Sequence, residues 1–508
     1  MPKIYEYNTE AVDNLFSDHS LYENRDKLAK FSTKEYQSEV TIAISMYKDL
    51  DKAKRCVESV LKYTKDIDFD LLICIDGPKD GLLDYCKTID YEKTTIIYNT
   101  ANRGGTVPWT FINFDMLSEF VVGVAGDLVV TENWLKNLLK CIKSDPTIGL
   151  VVPVSSNSSN LQEYRIGQFD NYDEMQRLAA AHNVSDPRKW EERARIVTLG
   201  TIYRKSAIYA LGLPISDIGF AHNFSDDDIA FRLRRMGYKT IVAADTWIHH
   251  DHVRNAVTPE EAKKFYKNID LGKQDFRNKY FGIDAWADVI NYVYFKNEIT
   301  DTSSETPQIL GIDVKCGTPI LDLKNRIRNF DKYDAECYAI TSEAKYFIDL
   351  QSICGADNVV CGDVLTCLDK FVNGSMDYIF IDKPINSYSD PFEVITRCAG
   401  LLKNDGHIYV YLQNTYDITS YLDMLGYLAD ERTEFYTCVS YTQFIKKVKN
   451  MGGNIRRVYT DSMSREEAGE LALLADRLLK KTVNMNNAPQ ETIDRLMTKR
   501  WAFDITLG

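Results

Sequence analysis

The chain has 508 residues, of which 44% are hydrophobic and 27% charged, and its formal net charge is -13 at pH 7. This length exceeds one ordinary domain, so we expect two or three soluble globular domains. The acidic balance argues against a nucleic-acid partner, because broad nucleic-acid binding needs a basic surface. A local basic pocket for phosphates is compatible with it.

The eleven cysteines are an odd number, and no Cys-x-x-Cys pair occurs, which argues against a structural zinc site. We expect buried, reduced thiols in a cytoplasmic protein. The N-terminus lacks a basic start followed by an apolar core, which predicts no signal peptide. The longest apolar run, residues 120–130, is too short to cross a bilayer, so we expect no integral membrane segment.

Residues 1–38 are polar and predict an N-terminal helical extension. From Val40 onward, buried strand-like runs alternate with amphipathic helical runs. This pattern predicts an α/β domain over residues 39–300, with a mostly parallel sheet and helices on both faces. Ligands of such sheets bind at the carboxyl ends of the strands.

The composition becomes linker-like near residues 298–307. A second alternating segment, residues 308–415, predicts another doubly wound sheet. Residues 416–508 are predicted to be C-terminal helices. Leucines of that region form an apolar face that packs within the chain or between copies of a homo-oligomer.

Acids and histidines of the first domain collect where strands are predicted to end. Asp76 and Asp127 each follow an apolar run, and His249 and His250 follow another. Carboxylates and imidazoles brought together in this way can bind a divalent cation and place a general base beside it. Each feature also has a structural interpretation: Asp76 fits a turn, and the histidines fit a solvated loop.

A triplet of acids, Asp226 to Asp228, lies between His222 and the later histidines. It is followed by an arginine, Arg232, four residues after the last acid. Taken alone, the triplet is better explained as favourable acids at a helix N-terminus, with Ser225 as the cap. The functional interpretation gains weight when the triplet is considered together with the other acids and histidines of the domain.

Residues 40 to about 254 resemble a family 2 glycosyltransferase with the GT-A fold. Four motifs occur in the same order as in the family: Val40-Thr-Ile-Ala-Ile-Ser-Met-Tyr47, Ile75-Asp-Gly-Pro78, Ala125-Gly-Asp-Leu-Val-Val-Thr-Glu-Asn-Trp-Leu135, and Ser225-Asp-Asp-Asp-Ile-Ala-Phe-Arg232. The sequence departs from the family at two positions. Ala125 replaces the first acid of the D-x-D motif, and Ser225 replaces the glutamate of the E-D motif.

The resemblance implies roles for individual residues. It implies that Asp127 binds a divalent metal, with His250 as the first choice of histidine ligand and His249 as the second. It implies that Asp226 is the catalytic base, with Asp228 as a close competitor. The donor-binding residues that it implies are Ser45, Tyr47, Asp76, Arg103, Gly104, Gly105, Gly126 and Asp127.

The activity implied is inverting, metal-dependent sugar transfer from a nucleotide sugar. The expected metal is Mn²⁺ or Mg²⁺, the expected donor a UDP-sugar, and UDP-N-acetylglucosamine is our guess. The acceptor is expected to be a hydroxyl of a protein, such as a flagellin serine or threonine, or of a surface glycan. Two alternatives stay open: a catalytically inactive scaffold, and a bifunctional glycosyltransferase-methyltransferase.

Residues 308 to about 414 resemble a class I methyltransferase. The resemblance rests on Ile312-Asp-Val-Lys-Cys-Gly-Thr-Pro319, which is similar to the family's first motif, and on later strand ends. Lys315 and Pro319 replace two of the motif's three glycines, and Thr341 stands where the family has a ribose-binding acid. A lysine obstructs close backbone approach, so we expect a degenerate domain that does not bind S-adenosylmethionine.

Overall fold

The computed structural model describes most of the chain, in separate segments. The described residues are 2–7, 38–77, 80–100, 117–212, 215–217, 220, 224–252, 258–289, 299–420, 436–464, 473, 477 and 490–507. The chain divides into two compact units, Met1–Ile290 and Asn291–Gly508.

The first unit is built on a sheet of ten strands among the described residues. The strands are β1 (Lys3–Tyr7), β2 (Val40–Met46), β3 (Phe69–Asp76), β4 (Thr94–Asn99), β5 (Phe120–Ala125), β6 (Leu128–Val129), β7 (Ile148–Ser155), β8 (Trp190–Glu192), β9 (Thr201–Arg204) and β10 (Lys239–His250). Their order is β1-β4-β3-β2-β5-β9-β7-β10-β6, and β8 pairs with β10. Strands β1 to β5 are mutually parallel, whereas β9 runs antiparallel to both β5 and β7.

Helices cover this sheet, as the alternating pattern predicted. They are α1 (Leu50–Tyr63), α2 (Leu82–Lys87), α3 (Trp134–Ser144), α4 (Tyr172–His182), α5 (Lys205–Leu211), α6 (Ser225–Arg235) and α7 (Pro259–Lys279). Two apolar cores result: Ile44 and Trp134 belong to one, Leu150 and Ile229 to the other. The prediction of a parallel-rich α/β fold is confirmed.

The N-terminal segment differs from its prediction where it is described. Residues 3–7 form strand β1, which extends the parallel sheet by pairing with β4 through contacts such as Tyr5 with Ile97. The alternation of Ile4 and Tyr5 with polar neighbours is too short to separate a strand from a helix, and pairing with β4 decides the outcome. Residues 8–37 lie outside the described part of the chain.

The second unit holds a seven-stranded sheet. Its strands are β11 (Gln308–Ile312), β12 (Glu336–Thr341), β13 (Val359–Cys361), β14 (Met376–Ile381), β15 (Leu402–Gln413), β16 (Gly453–Ser462) and β17 (Thr498–Leu507), in the order β13-β12-β11-β14-β15-β17-β16. β11 to β15 are parallel, and β17 inserts antiparallel between β15 and β16. This is the methyltransferase-type doubly wound topology.

Helices of the second unit are α8 (Thr318–Ile327), α9 (Phe347–Cys354), α10 (Val364–Leu368), α11 (Pro391–Leu401), α12 (Tyr441–Asn450) and α13 (Gln490–Met497). The C-terminal region is thus not helical throughout, because β16 and β17 complete the sheet. Of the leucines expected to form an apolar face there, Leu473 is described and exposed.

The structure also bears on the expectations for the cysteines and for membrane-spanning helices. All eleven cysteines lie in described segments and are free, and all but Cys361 and Cys438 are buried. Among the described helices, none is long and apolar enough to cross a membrane.

Candidate active site

The parallel register brings the predicted donor-side residues to one edge of the first sheet. Ser45 of β2 pairs with Ala125 of β5, and Asp76 of β3 pairs with Asn99 of β4. The Asp76 carboxylate is buried and accepts a hydrogen bond from Asn99 Nδ2 at 3.2 Å. These positions are the carboxyl ends of adjacent strands, where α/β sheets bind ligands.

The chain passes very closely over this edge after β5. The Gly126 N–H donates to the Ser45 carbonyl at 2.9 Å, and an ideal Cβ on Gly126 would lie 3.0 Å from Met46 Cβ. Tyr47, directly after β2, is half-buried. Arg103, Gly104 and Gly105 lie outside the described residues, so their predicted donor contacts stay predictions.

Three side chains converge next to Gly126 as a possible metal site. Asp127 Oδ2 lies 3.4 Å from His250 Nε2 and 3.8 Å from His252 Nδ1. One ligand atom from each of the three residues lies within 4.8 Å of the others. Ligands about 2.1 Å from one cation are themselves roughly 3–4 Å apart, so small adjustments suffice to close the site on an ion.

The surroundings of His250 fix which ring nitrogen faces Asp127. His250 Nδ1 lies 2.7 Å from the Asn157 carbonyl, which can only accept, so Nδ1 carries a proton. In the neutral ring, Nε2 therefore presents its lone pair toward Asp127, as a metal ligand must. Burial alone would lower the pKa of His250, but in the protonated ring Nε2 donates to Asp127, and this bond together with the bond to Asn157 outweighs burial and raises the pKa.

The Asp127 carboxyl is correspondingly held in its ionised form. Burial alone would raise its pKa, but the hydrogen bond and charge of His250 outweigh burial and lower it. The backbone is also fixed, because the Asp251 N–H donates to the Asp127 carbonyl at 2.9 Å. Helix α1 holds Asp251 from the other side, with Arg55 Nη2 at 2.6 Å from its carboxylate.

The structure does not bring His249 to this cluster. Neighbouring residues of a strand point to opposite faces, so His249 and His250 cannot both face Asp127. His249 Nδ1 lies 3.0 Å from Ser156 Oγ, and its ring contacts those of Phe169 and Tyr172. Burial lowers the pKa of His249. His252, two residues after His250, takes the place that the resemblance gave to His249.

The three acids at the N-terminus of α6 have different surroundings. Asp228 is fully buried, and its carboxylate accepts from Arg232 Nε at 2.7 Å, Lys279 Nζ at 2.5 Å and the Tyr280 hydroxyl at 2.5 Å. A carboxylate enclosed by two cations and a phenol holds the helices together and is poorly placed to take a proton from a substrate. Asp228 is therefore a weaker candidate for the base than the resemblance implied.

Asp227 is also buried and paired. Its carboxylate accepts from Arg195 Nε at 2.7 Å and Trp286 Nε1 at 3.3 Å, and the Phe224 ring stacks on Trp286 at 4.9 Å. Burial raises the pKa of Asp227 to about 6, against the opposing charge of Arg195.

Asp226 is half-buried and accepts a hydrogen bond from the Thr198 hydroxyl. Thr198 precedes β9, whose Thr201 pairs antiparallel with Gly123 of β5. The segment before β9 therefore lies toward the end of β5 that leads to Asp127. Asp226 is thus the member of the triplet that is both accessible and directed to the carboxyl edge of the sheet.

One loop connects the two halves of the site. We call residues 155–163 the bracing loop; Asn157 of this loop holds His250, and its Nδ2 also donates to the His252 carbonyl at 2.8 Å. Gln162 of the same loop binds the backbone of Val197, beside Thr198. No motif in the sequence indicates these individual contacts.

Residues 41–208 match the family model described as glycosyl transferase family 2. The chain carries a family 2 glycosyltransferase domain. Among curated proteins, none matches the chain.

Two solved structures are similar to parts of this chain. A mannosyltransferase from Pyrobaculum calidifontis, in complex with GDP-mannose and Mn²⁺, is 16% identical; the alignment covers 48% of this chain and 67% of that one, with a TM-score of 0.33. An S-adenosylmethionine-dependent methyltransferase from Archaeoglobus fulgidus is 15% identical; the alignment covers 49% of this chain and 98% of that one, with a TM-score of 0.26.

At the corresponding edge of the second unit, an acidic side chain is hydrogen-bonded within the unit. The Asp313 carboxylate accepts from the N–H and hydroxyl of Ser342, at 2.7 and 2.9 Å, and from the Tyr388 hydroxyl at 2.8 Å. Lys315 holds a left-handed backbone, with φ of 50°, at a position where the related motif has glycine. The Asp313 carboxylate is therefore paired with side chains and backbone of the same unit.

Proposed function

We propose that the first unit is an inverting, metal-dependent glycosyltransferase that moves a sugar from a nucleotide donor to an acceptor hydroxyl. The observation that carries this proposal is the cluster of Asp127, His250 and His252 at the carboxyl edge of the first sheet, most of whose strands lie within the residues 41–208 that match the family model. The half-buried Asp226 supplies the carboxylate that such a transfer needs as its base.

The donor set favours Mn²⁺ over Mg²⁺. Mg²⁺ prefers oxygen ligands in near-ideal octahedral geometry, whereas two imidazole nitrogens suit a softer cation. When bound at Asp127, such an ion supplies charge neutralisation for the departing diphosphate. Asp127, His250 and His252 would hold the ion, while the close approach of Gly126 to β2 lets the donor lie against the backbone.

On the acceptor side, Asp226 would take the proton from the attacking hydroxyl through a carboxylate oxygen. Attack from the face opposite the leaving diphosphate inverts the anomeric carbon. Asp76, at the end of β3, would contact the nucleoside of a UDP-sugar, and UDP-N-acetylglucosamine is the first donor to test. The acceptor we propose is a hydroxyl of a protein or a surface glycan, encountered in the cytoplasm.

The test combines donor turnover with metal binding. Purified protein would be incubated with UDP-, GDP- and dTDP-sugars in the presence of Mn²⁺ or of a chelator, and nucleotide release would be measured. We expect metal-dependent release from one donor. Asp127→Ala and His250→Ala should weaken Mn²⁺ binding, measured by calorimetry, by more than the roughly 10- to 100-fold cost of losing an outer partner. Asp226→Asn should retain Mn²⁺ and lose about 10²- to 10⁴-fold in turnover.

The matched control is His249→Phe, which removes a neighbouring imidazole and keeps an aromatic ring in the same aromatic surroundings. It should retain Mn²⁺ binding. Mn²⁺ binding that survives in Asp127→Ala and His250→Ala would reject the metal site. Absence of both nucleotide binding and turnover in the unaltered protein would instead favour the inactive scaffold.

For the second unit we propose a supporting role without S-adenosylmethionine. The occupied Asp313 carboxylate and the left-handed Lys315 support this assignment. Calorimetric titration of the full chain with S-adenosylmethionine should show no binding. Saturable binding would instead support the bifunctional enzyme.

A further inference from the structure

We propose that Thr198 is a positioning residue that holds the Asp226 carboxylate in place for the acceptor hydroxyl. This inference rests on the proposed function, because it takes Asp226 as the base. No motif of the sequence singled out Thr198, and it acts here through another residue.

The first support is the direction of the hydrogen bond. An ionised carboxylate can only accept, so the Thr198 hydroxyl donates to Asp226 Oδ1. This bond limits rotation of the carboxylate and stabilises its ionised form, which is the form that can take a proton. Asp227 and Asp228 are held instead by cations and ring groups, so the threonine contact distinguishes Asp226 from its two neighbours.

The second support is the rigidity of the backbone just before Thr198. Gln162 is almost fully buried, and its side-chain amide binds both polar groups of Val197. Its Oε1 accepts from the Val197 N–H at 2.6 Å, and its Nε2 donates to the Val197 carbonyl at 2.9 Å. These paired hydrogen bonds hold the N–H and carbonyl of Val197 in one orientation. The backbone that leads into Thr198 is therefore fixed.

The third support lies just after Thr198. Gly200 has a left-handed φ of 62°, and an ideal Cβ there would lie 2.7 Å from Ile248 Cδ1 of β10. The chain therefore passes close against β10 at this point, two residues before His250. Thr198 is held between two fixed points, so its hydroxyl direction is set before any substrate binds, as expected of a supporting residue in a preorganised site.

The experiment compares Thr198→Val, which keeps the shape and removes the hydroxyl, with Thr198→Ser, which restores the hydroxyl. Thr201→Val is the matched control. Thr201 is buried and lies three residues further along the same segment, and its hydroxyl makes no hydrogen bond to Asp226. All variants would be assayed with Mn²⁺ and the donor that the sugar panel identifies, across pH.

Thr198→Val should lower kcat/KM for transfer about tenfold, as expected for loss of one hydrogen bond to a charged group. It should leave KM for the donor unchanged. It should also move the acid limb of the pH profile upward by about one unit, because a hydrogen bond that favours the ionised carboxylate tenfold lowers the carboxyl pKa by one unit, and its loss reverses that change. Thr198→Ser should recover most activity and the original acid limb, and Thr201→Val should resemble the unaltered protein.

Two results overturn the proposal while leaving the proposed function intact: full activity with an unmoved acid limb in Thr198→Val, or equal loss in Thr198→Ser and Thr198→Val. A crystal structure of Thr198→Val gives an answer independent of turnover. We expect a rotated Asp226 carboxylate, and an unchanged one refutes positioning. Failure of the unaltered protein to bind nucleotide or turn over donor would instead remove the proposed function.

Discussion

Replacement of Asp228 by asparagine tests whether this acid is structural and distinct from Asp226, the proposed base. The carboxylate is fully buried; it pairs with Arg232 of the same helix, with Lys279 at the end of α7 and with Tyr280 directly after α7. Asparagine keeps the shape and one acceptor oxygen but removes the charge that the two cations face. We therefore expect Asp228→Asn to reduce stability strongly.

The expected loss in the free energy of unfolding depends on the contacts that Arg232 and Lys279 keep in the variant. Removing one side of a buried ion pair costs about 3–5 kcal/mol. Arg232 retains the carbonyls of Ile215 and Leu211, and Lys279 is one-third exposed and also pairs with Asp217. These alternatives favour the lower end, about 3 kcal/mol. At about 2–4 °C per kcal/mol for a domain of this size class, the midpoint should fall by roughly 6–12 °C.

The assay is thermal unfolding of the full chain followed by far-UV circular dichroism, with sugar transfer measured well below the transition. Asp226→Asn is the matched variant, because it changes the same group two residues away at a half-buried position. We expect Asp228→Asn to lose stability and keep measurable transfer, and Asp226→Asn to do the reverse. An unchanged midpoint with abolished transfer in Asp228→Asn would exchange the two roles and refute this reasoning.

Two further predictions concern buried polar groups. Gln162→Met should leave both polar groups of Val197 without the glutamine, lowering transfer about tenfold while calorimetry shows unchanged Mn²⁺ affinity; weakened Mn²⁺ binding would contradict it. In the second unit, burial raises the pKa of Asp377, but hydrogen bonds from Lys403 and Ser304 outweigh burial and lower it. Its stabilisation is therefore complete above the unfolded pKa of about 3.9 and is lost as pH falls through the folded value. Asp377→Asn should lower the urea midpoint at pH 7 and weaken its decline toward pH 3, whereas parallel pH curves would count against this linkage.

The sequence identified the strand ends of the candidate site because parallel sheets place their carboxyl ends together. Asp76 and Asp127 follow buried apolar runs, and this local pattern suffices to place them at one edge. The choice between His249 and His250 requires knowing which face of β10 each side chain occupies. This depends on the pairing of β10 with Leu128 and Val129 of β6. That pairing is a tertiary fact without a local signal.

Other differences have the same origin. The role of Asp228 depends on Lys279 and Tyr280, about fifty positions later in the chain, and no spacing rule connects them. Strand β16 has exposed and half-buried residues in no clean alternation, since it is the edge strand of its sheet. Its pattern therefore carried too little periodicity to compete with the helical pattern around it.

The bracing loop also determines where this protein can change without losing its chemistry. Asn157 and Gln162 point inward to the two halves of the site, so exchanging the loop as a block would disturb both together. Leu161 is half exposed, and Glu163 and Tyr164 next to it are exposed as well. A library that varies these outward positions and keeps the inward ones would alter the surface that an approaching molecule meets beside the candidate site. New recognition can therefore be selected on this loop while its anchoring positions stay constant.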